Sequence, residues 1–220
     1  MNNFFNSRFW RAMGFIGTAF IVNTMWLIGC LPLITAGAST AAMCQTYFRL
    51  FSKKAEPLPR LFINGFKACF RQATFIWLVH MFFLADIAIV LWCRTQELAL
   101  PWLLTNKLSL SVGAIAVFAV VSTSVYIYGI VAYYDCSTQQ CAINALGLAS
   151  RFFGKTILML LSGLATAAII YIAPFMALIG GSLCCALHCK LMLRMFEEEE
   201  RFRPSAARPG LMDDTGDDVY

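Results

Sequence analysis

The sequence predicts an all-α fold, that of a polytopic helical membrane protein with five long spans and a short returning helix after Pro32. The first observation is composition: 60% of the residues are hydrophobic and 13% are charged, a balance typical of integral membrane proteins. The second is a run of 37 residues, 12–48, without Asp, Glu, Lys, Arg or His. A water-soluble domain with such a surface would aggregate, so the run belongs in lipid. The sequence shows no period-two alternation of the kind that membrane strands have.

The uncharged run predicts one full span over about 12–31 and a short helix over 37–51. A bilayer core of roughly 30 Å takes about 20 helical residues, so the run is too long for one crossing and slightly short for two. Pro32 removes a helix donor and Gly37 relaxes the backbone, which ends the first span and turns the chain back. Small residues follow at a spacing that allows close helix packing: Gly37, Ala38, Ala41 and Ala42.

A basic connector follows over residues 49–71, with six Lys or Arg residues against the single Glu56. After Pro57 and Pro59, polar residues recur at three- and four-residue steps, which predicts an interfacial amphipathic helix over 58–71. Anionic lipid headgroups attract such a helix by about 1 kcal/mol per basic side chain. Its polar face consists of Arg60, Asn64, Lys67 and Arg71.

Four further apolar segments complete the spans, and the last two are separated only at Ala173-Pro174. We expect these spans at about 72–93, 108–134, 156–173 and 175–195. Residues 1–200 would then form a single helical membrane domain. The acidic, proline-containing residues 201–220 predict a disordered cytoplasmic tail.

The distribution of Lys and Arg predicts which side of the membrane each loop occupies. If residues 37–51 do not cross the bilayer, one side holds the connector 49–71, the return at 135–155 and the C-terminus, with 13 of the 17 basic residues. If they do cross, that side holds 15. Both counts place the C-terminus in the cytoplasm. They differ only over the N-terminus, for which we favour the inside.

Several short motifs, each found once, are distributed along the chain. The most specific is Leu31-Pro32-Leu33-Ile34-Thr35-Ala36-Gly37-Ala38-Ser39-Thr40-Ala41-Ala42-Met43. Weaker ones are Asn23-Thr24-Met25-Trp26, Phe66-Lys67-Ala68-Cys69-Phe70-Arg71-Gln72-Ala73-Thr74, Ala132-Tyr133-Tyr134-Asp135, Asn144-Ala145-Leu146 and Met195-Phe196-Glu197. Over roughly residues 15–200 the chain resembles the YesL family of small bacterial membrane proteins, although Cys69 and Arg71 stand where that family is expected to have Asn and often Lys. The candidate partner-docking or family-motif residues are Asn23, Trp26, Pro32, Thr35, Gly37, Arg60, Lys67, Arg71 and Asp135.

The resemblance implies a multi-pass protein of the bacterial inner membrane, in a family whose genes often accompany carbohydrate uptake and degradation genes and which has no assigned activity. We therefore expect an accessory or regulatory partner of a carbohydrate uptake system. Its partners would be the lipid bilayer and sugar transporter subunits, with no nucleic acid and with homo-oligomers left open. The alternative is a small transporter or channel that uses Asp86 and Asn23 in a pathway at a dimer interface. Asp86 is the candidate intramembrane polar residue, because an ionisable group within a span is costly unless it is paired or hydrated.

The cysteines and histidines predict packing and not a cofactor site. Cys184 with His188, and Cys185 with Cys189, are four residues apart, so one helix presents two ligand atoms on each of two faces. A structural zinc site needs four converging ligands, so we expect no metal and no cofactor. The nine cysteines lie mostly inside apolar helices, where they behave as small hydrophobic residues, so we expect no disulfide framework. His80 is expected to be a packed, hydrogen-bonded histidine. The sequence has no phosphate-binding loop, metalloprotease motif or nucleophile elbow, so we expect no enzyme.

Overall fold

The central element of the fold is a short helix of mostly small residues that other helices surround. The computed structural model describes residues 8–52, 56–95 and 107–202, and its regular structure there is helical, which confirms the all-α prediction. The elements are α1 (Arg8–Cys30), a 3-10 turn (Leu33–Thr35), α2 (Ala36–Phe51), α3 (Leu58–Thr95), α4 (Lys107–Tyr133), α5 (Thr138–Arg151), α6 (Phe153–Ile172), a second 3-10 turn (Pro174–Leu178) and α7 (Gly180–Phe202). The expectations for Lys53, Lys54, the loop at 96–106 and the tail beyond Phe202 lie outside the described residues.

Helix α2 is buried because its small side chains let its neighbours approach. Residues 37–39 and 41–48 are buried, and α2 contacts α1, α3, α4 and α7. A Cβ added to Gly37 would lie 2.5 Å from Trp77 Cβ and 2.6 Å from the carbonyl oxygen of Ala73 on α3. Only glycine permits the two backbones to come this close.

Helices α1 and α2 form an antiparallel hairpin that turns at Pro32. Proline cannot continue the helix, and the 3-10 turn leads directly into α2. The hydroxyl of Thr35 lies 2.7 Å from the carbonyl oxygen of Gly29, an acceptor that the end of α1 leaves open, and 2.8 Å from that of Pro32 in the turn. The tip of the hairpin is apolar and exposed at Leu31, Leu33 and Ile34.

Helix α3 is a single helix of 38 residues, which corresponds to about 57 Å at 1.5 Å per residue. The sequence analysis expects an interfacial helix over 58–71 and a separate span over 72–93, whereas the structure joins the two segments. Polarity changes near Arg71, but the continuity of a helix depends on helix breakers. No proline lies between Pro59 and Thr95, and the lone Gly65 is tolerated.

Helices α6 and α7 are antiparallel and are separated by the 3-10 turn that begins at Pro174. Lys155 at the start of α6 pairs with Glu198 near the end of α7 at 2.9 Å. At the opposite end, a Cβ on Gly180 would contact Thr166 and Ile170 at ordinary van der Waals distance. The start of α7 therefore lies beside the end of α6, at the same end of the bundle as the tip of the α1–α2 hairpin.

Three helices among the described residues are long and apolar enough to cross a membrane by length and composition: Met13–Cys30, Leu58–Asp86 and Phe153–Ile172. A shorter apolar segment, Val120–Tyr133, lies in α4. Apolar side chains remain exposed along α1, α3 and α6, as expected of surfaces that face lipid.

The connection from α4 to α5 differs from the sequence expectation, because Cys136 and Cys141 form a disulfide with a Cα–Cα separation of 6.1 Å. The turn between them is fixed by a capping box: Ser137 Oγ accepts from the Gln140 backbone N–H, and the Gln140 side chain accepts from the Ser137 N–H. This turn brings together two cysteines that are five residues apart.

Candidate functional site

The polar residues of the first half of α3 form one exposed surface, here called the basic face, which comprises Arg60, Asn64, Lys67 and Arg71. The opposite side of the same helix buries apolar residues in the core, at Leu61, Phe62, Cys69, Ala73 and Ile76. The three- and four-residue spacing of the polar residues places them on one side of the helix. Three guanidinium or ammonium groups on one side suit carboxylate or phosphate partners.

The basic face lies level with an apolar part of α1. Gly65 of α3 approaches Ala42 and Gln45 of α2, and Gly37 of α2 approaches Ala73 and Trp77 of α3. Lys67 and Arg71 lie between these two contacts.

The same part of α2 packs along α1. Ser39 Oγ donates to the Trp26 carbonyl oxygen at 2.9 Å, and the rings of Phe15 and Tyr47 lie 6.5 Å apart. Between these contacts α1 exposes uncharged side chains such as Phe20 and Ile21. Lys67 and Arg71 of the basic face therefore lie at the same depth in the bundle as an apolar surface of α1 that is suited to lipid.

Asn23 joins α1 to the start of α7. It is fully buried, and its Nδ2 donates to the Ala177 carbonyl oxygen at 2.8 Å, while its Oδ1 accepts from the Ser182 backbone N–H at 2.9 Å. The N–H groups in the first turn of a helix have no intrahelical acceptor, so Asn23 caps α7 from another helix. Both polar atoms of its amide are used within the fold.

The other motif residues of the first hairpin are also structural. Trp26 Nε1 donates to Thr40 Oγ1 at 3.1 Å and links α1 to α2. Pro32 and Thr35 form the turn, and Gly37 provides the close approach to α3. The structure thus brings Asn23, Trp26, Pro32, Thr35 and Gly37 into one joint at the tip of the hairpin and places Arg60, Lys67 and Arg71 together on the basic face.

The two acidic residues singled out from the sequence lie elsewhere. Asp86 is exposed on α3, nine residues beyond Trp77 and therefore about 13 Å further along the helix axis. Trp77 itself donates to the Leu33 carbonyl oxygen at the hairpin tip. Asp86 therefore lies beyond the joint that holds Asn23, and the structure does not bring the two together. Asp135 is exposed in the turn after α4.

His80 is buried against α4, in agreement with the expectation of a packed histidine. Its Nδ1 lies 2.9 Å from the Ile76 carbonyl oxygen, and its ring lies 6.2 Å from that of Tyr128. It lines an otherwise largely apolar cavity of about 410 Å³ between α3, α4 and α5.

The structure adds a residue that the sequence analysis did not connect with the cysteines of α7. Cys185 and Cys189 face α2, where Cys44 meets them, and the three sulfur atoms lie within 4.8 Å of one another. Cys44 is 141 residues from Cys185 in the chain, so no local spacing could have indicated the contact. Cys184 and His188 face α6 instead, where the His188 ring lies 2.8 Å from Ser162 Oγ. The division of α7 into two faces agrees with the sequence analysis.

A protein-family model matches residues 19–90 of the chain. No curated protein and no solved structure matches the chain. The match is compatible with the resemblance to the YesL family and does not establish it. The matched segment contains the second half of α1, all of α2 and the basic face of α3, so the candidate docking residues other than Asp135 lie within it. Over residues 19–90 the chain is similar to the family described as protein of unknown function, DUF624.

Proposed function

We propose that this chain is a non-enzymatic, multi-pass protein of the bacterial inner membrane that acts as an accessory or regulatory partner of a carbohydrate uptake system. The observation that carries the proposal is the basic face of α3, whose Lys67 and Arg71 are exposed at the depth of an apolar helix surface. The link to carbohydrate uptake comes from the resemblance to the YesL family alone.

The basic face needs a polar partner if it lies within the bilayer. A Lys or Arg side chain at the centre of a membrane helix costs about 2.5–3.5 kcal/mol. Lys67 and Arg71 lie on α3 between its two close contacts with α2, level with exposed apolar residues of α1. A second membrane protein that offers carboxylates would pair these cations and remove the cost. A transport permease or its ATPase is the partner that the proposal names.

The proposed membrane arrangement retains five spans, the short returning helix α2 and a cytoplasmic C-terminus. Ion pairs at one end of the bundle support a single polar side. Arg49 and Glu56 lie 3.9 Å apart between α2 and α3, and Lys155 pairs with Glu198 between α6 and α7. The two turns at the other end, around Pro32 and Pro174, expose apolar side chains. The charged end is the end that we place in the cytoplasm.

The alternative, a transporter or channel in its own right, finds less support. Asn23 has both amide atoms bonded inside the protein, and Asp86 is exposed on the outside of α3. The two residues therefore do not line one path through the described part of the chain. A pathway formed at a dimer interface would still require Asp86.

Co-purification tests the accessory role. The chain is captured from membranes of cells grown on a carbohydrate that induces uptake, and the recovered permease and ATPase subunits are quantified by mass spectrometry. Arg60→Glu, Lys67→Glu and Arg71→Glu together should abolish their recovery. The matched control reverses two exposed basic residues of α7, Lys190→Glu and Arg194→Glu, and should retain them.

A flux assay separates the two functions. If the purified chain in liposomes moves a solute and Asp86→Asn abolishes that movement, the chain is a transporter and the accessory proposal fails. Equal recovery of transport subunits by the basic-face variant and by wild type would also reject docking through α3.

A further inference from the structure

Three buried thiols meet at the contact between α2 and α7. Cys44 Sγ lies 3.6 Å from Cys185 Sγ, and Cys185 Sγ lies 3.8 Å from Cys189 Sγ. All three side chains are buried, and they come from two helices that other contacts hold side by side. The three sulfur atoms lie within 4.8 Å of one another and form a triangle, and Cys189 Sγ also donates to the Cys44 carbonyl oxygen at 3.9 Å.

The size of this triangle matches a metal site. A metal–sulfur distance of about 2.3 Å requires ligand sulfurs about 3.8 Å apart in a tetrahedral site and about 4.0 Å apart in a trigonal one. The two measured separations, 3.6 and 3.8 Å, are close to these values, and the third lies within 4.8 Å. Small movements of two side chains would place the three sulfurs around one ion.

A cavity of about 330 Å³ reaches two of these thiols, those of Cys44 and Cys185. Its lining also includes Met43, Met192 and the Cys184–His188 pair. Thiolates and thioethers are the ligands that select soft metal ions.

A buried hydroxyl on the same cavity is a second indication of a guest. Tyr128 is 7% exposed, and its hydroxyl has no hydrogen-bond partner within the described part of the chain. A buried polar group without a partner costs about 1–3 kcal/mol. A solvated or ion-containing cavity would offset that cost.

We propose that Cys44, Cys185 and Cys189 bind one soft, thiophilic metal ion, and that the ion is Cu(I). Three-coordinate thiolate binding suits a soft, monovalent d¹⁰ ion. Zn(II) prefers a fourth ligand, and His188 is directed to α6, where it lies 3.1 Å from the Met159 carbonyl oxygen. Binding displaces the protons of the coordinating thiols and involves no change of oxidation state. The site is independent of the basic face and of the proposed partner.

The test uses the full-length chain in detergent, reduced and metal-free, on a Cys136→Ser, Cys141→Ser background so that the disulfide cysteines cannot bind metal. Cu(I) is titrated against a chromogenic Cu(I) chelator, and the bound form is measured by X-ray absorption. We expect one equivalent per chain and a coordination shell of sulfur alone. Cys44→Ser, Cys185→Ser and Cys189→Ser should each weaken binding by at least the roughly 10–100-fold that loss of outer-shell partners causes. The controls Cys30→Ser and Cys69→Ser change free cysteines of α1 and α3 and should leave affinity unchanged.

A second measurement, cysteine alkylation, tests the same site without substituting any of the three proposed ligands. Bound Cu(I) should protect Cys44, Cys185 and Cys189 from alkylation, as judged by peptide mass spectrometry, while Cys30 reacts at an unchanged rate. Two results would overturn the proposal. One is a copper stoichiometry equal to that of a variant in which Cys44, Cys185 and Cys189 are all replaced by Ser, and the other is alkylation of these three cysteines at the same rate with and without Cu(I). A Cys44–Cys185 disulfide in the protein as isolated would do the same, and tighter binding of Zn(II) than of Cu(I) would reject the assigned ion.

Discussion

The bond network of Asn23 gives the sharpest test of the packing described above. Replacing Asn23 by Leu keeps nearly the same side-chain shape but removes both polar atoms. The Ser182 N–H and the Ala177 carbonyl oxygen would then lose their partners, 2.9 Å and 2.8 Å away in the native protein. Because Leu has the same branching and as many side-chain heavy atoms as Asn, the substitution leaves no cavity, and the lost hydrogen bonds are its main effect.

The expected cost follows from the two bonds. An interhelical hydrogen bond in a membrane protein contributes about 0.6–1.7 kcal/mol. A buried donor that is left without a partner costs about 1–3 kcal/mol, and Ser182 is fully buried. We expect Asn23→Leu to lower the free energy of unfolding by about 2–4 kcal/mol, because both groups are affected.

Unfolding by SDS in mixed micelles, followed by tryptophan fluorescence, measures this change. The neighbouring substitution Thr24→Val is the control. Thr24 Oγ1 donates to the Phe20 carbonyl oxygen of its own helix at 2.9 Å, so the loss of this hydroxyl should cost less than about 0.5 kcal/mol. If Asn23→Leu unfolds at the same SDS fraction as Thr24→Val, the capping role is wrong.

Three further substitutions test separate contacts in the same assay. Gly37→Ala should lower the free energy of unfolding by about 1–3 kcal/mol, because its Cβ would lie 2.5–2.6 Å from Trp77 and from the Ala73 carbonyl oxygen. The control Gly163→Ala, whose Cβ would have nothing within 4 Å, should be neutral or stabilising. If Gly163→Ala were the more destabilising of the two, the close approach of α2 to α3 at Gly37 would be wrong. Tyr126→Phe should cost about 1 kcal/mol through its lost bond to Thr156 Oγ1 at 2.9 Å, and an unchanged midpoint would show that this bond contributes nothing. Lys155→Ala breaks a partly exposed ion pair and should cost less than about 1 kcal/mol; a larger loss would mean that the pair is not solvent-screened.

Features that depend on local chain chemistry could be read from the sequence. Pro32 and Pro174 mark turns, since proline cannot continue a helix. The small residues after Gly37 indicate a helix that packs closely, and α2 is the buried helix of the described bundle. The separation of Cys184 from Cys185 onto different faces follows from helical period alone.

Features that depend on distant parts of the chain could not be read in this way. Cys44 and Cys185 meet only because α2 and α7 pack together, and the acceptors and donors of Asn23 come from the other end of the sequence. The continuity of α3 differs from the sequence expectation for another reason. The change from polar to apolar residues near Arg71 predicts a boundary, but the sequence has no helix breaker there.

The burial of α2 has a consequence for how the protein is made. Four helices lie between α2 and α7 in the chain, yet the burial of α2 is completed by contacts with α7. Until α7 is synthesised, the side of α2 that carries Cys44 and Tyr47 lacks its native cover. Truncation before α7 should therefore yield a chain that quality-control proteases remove.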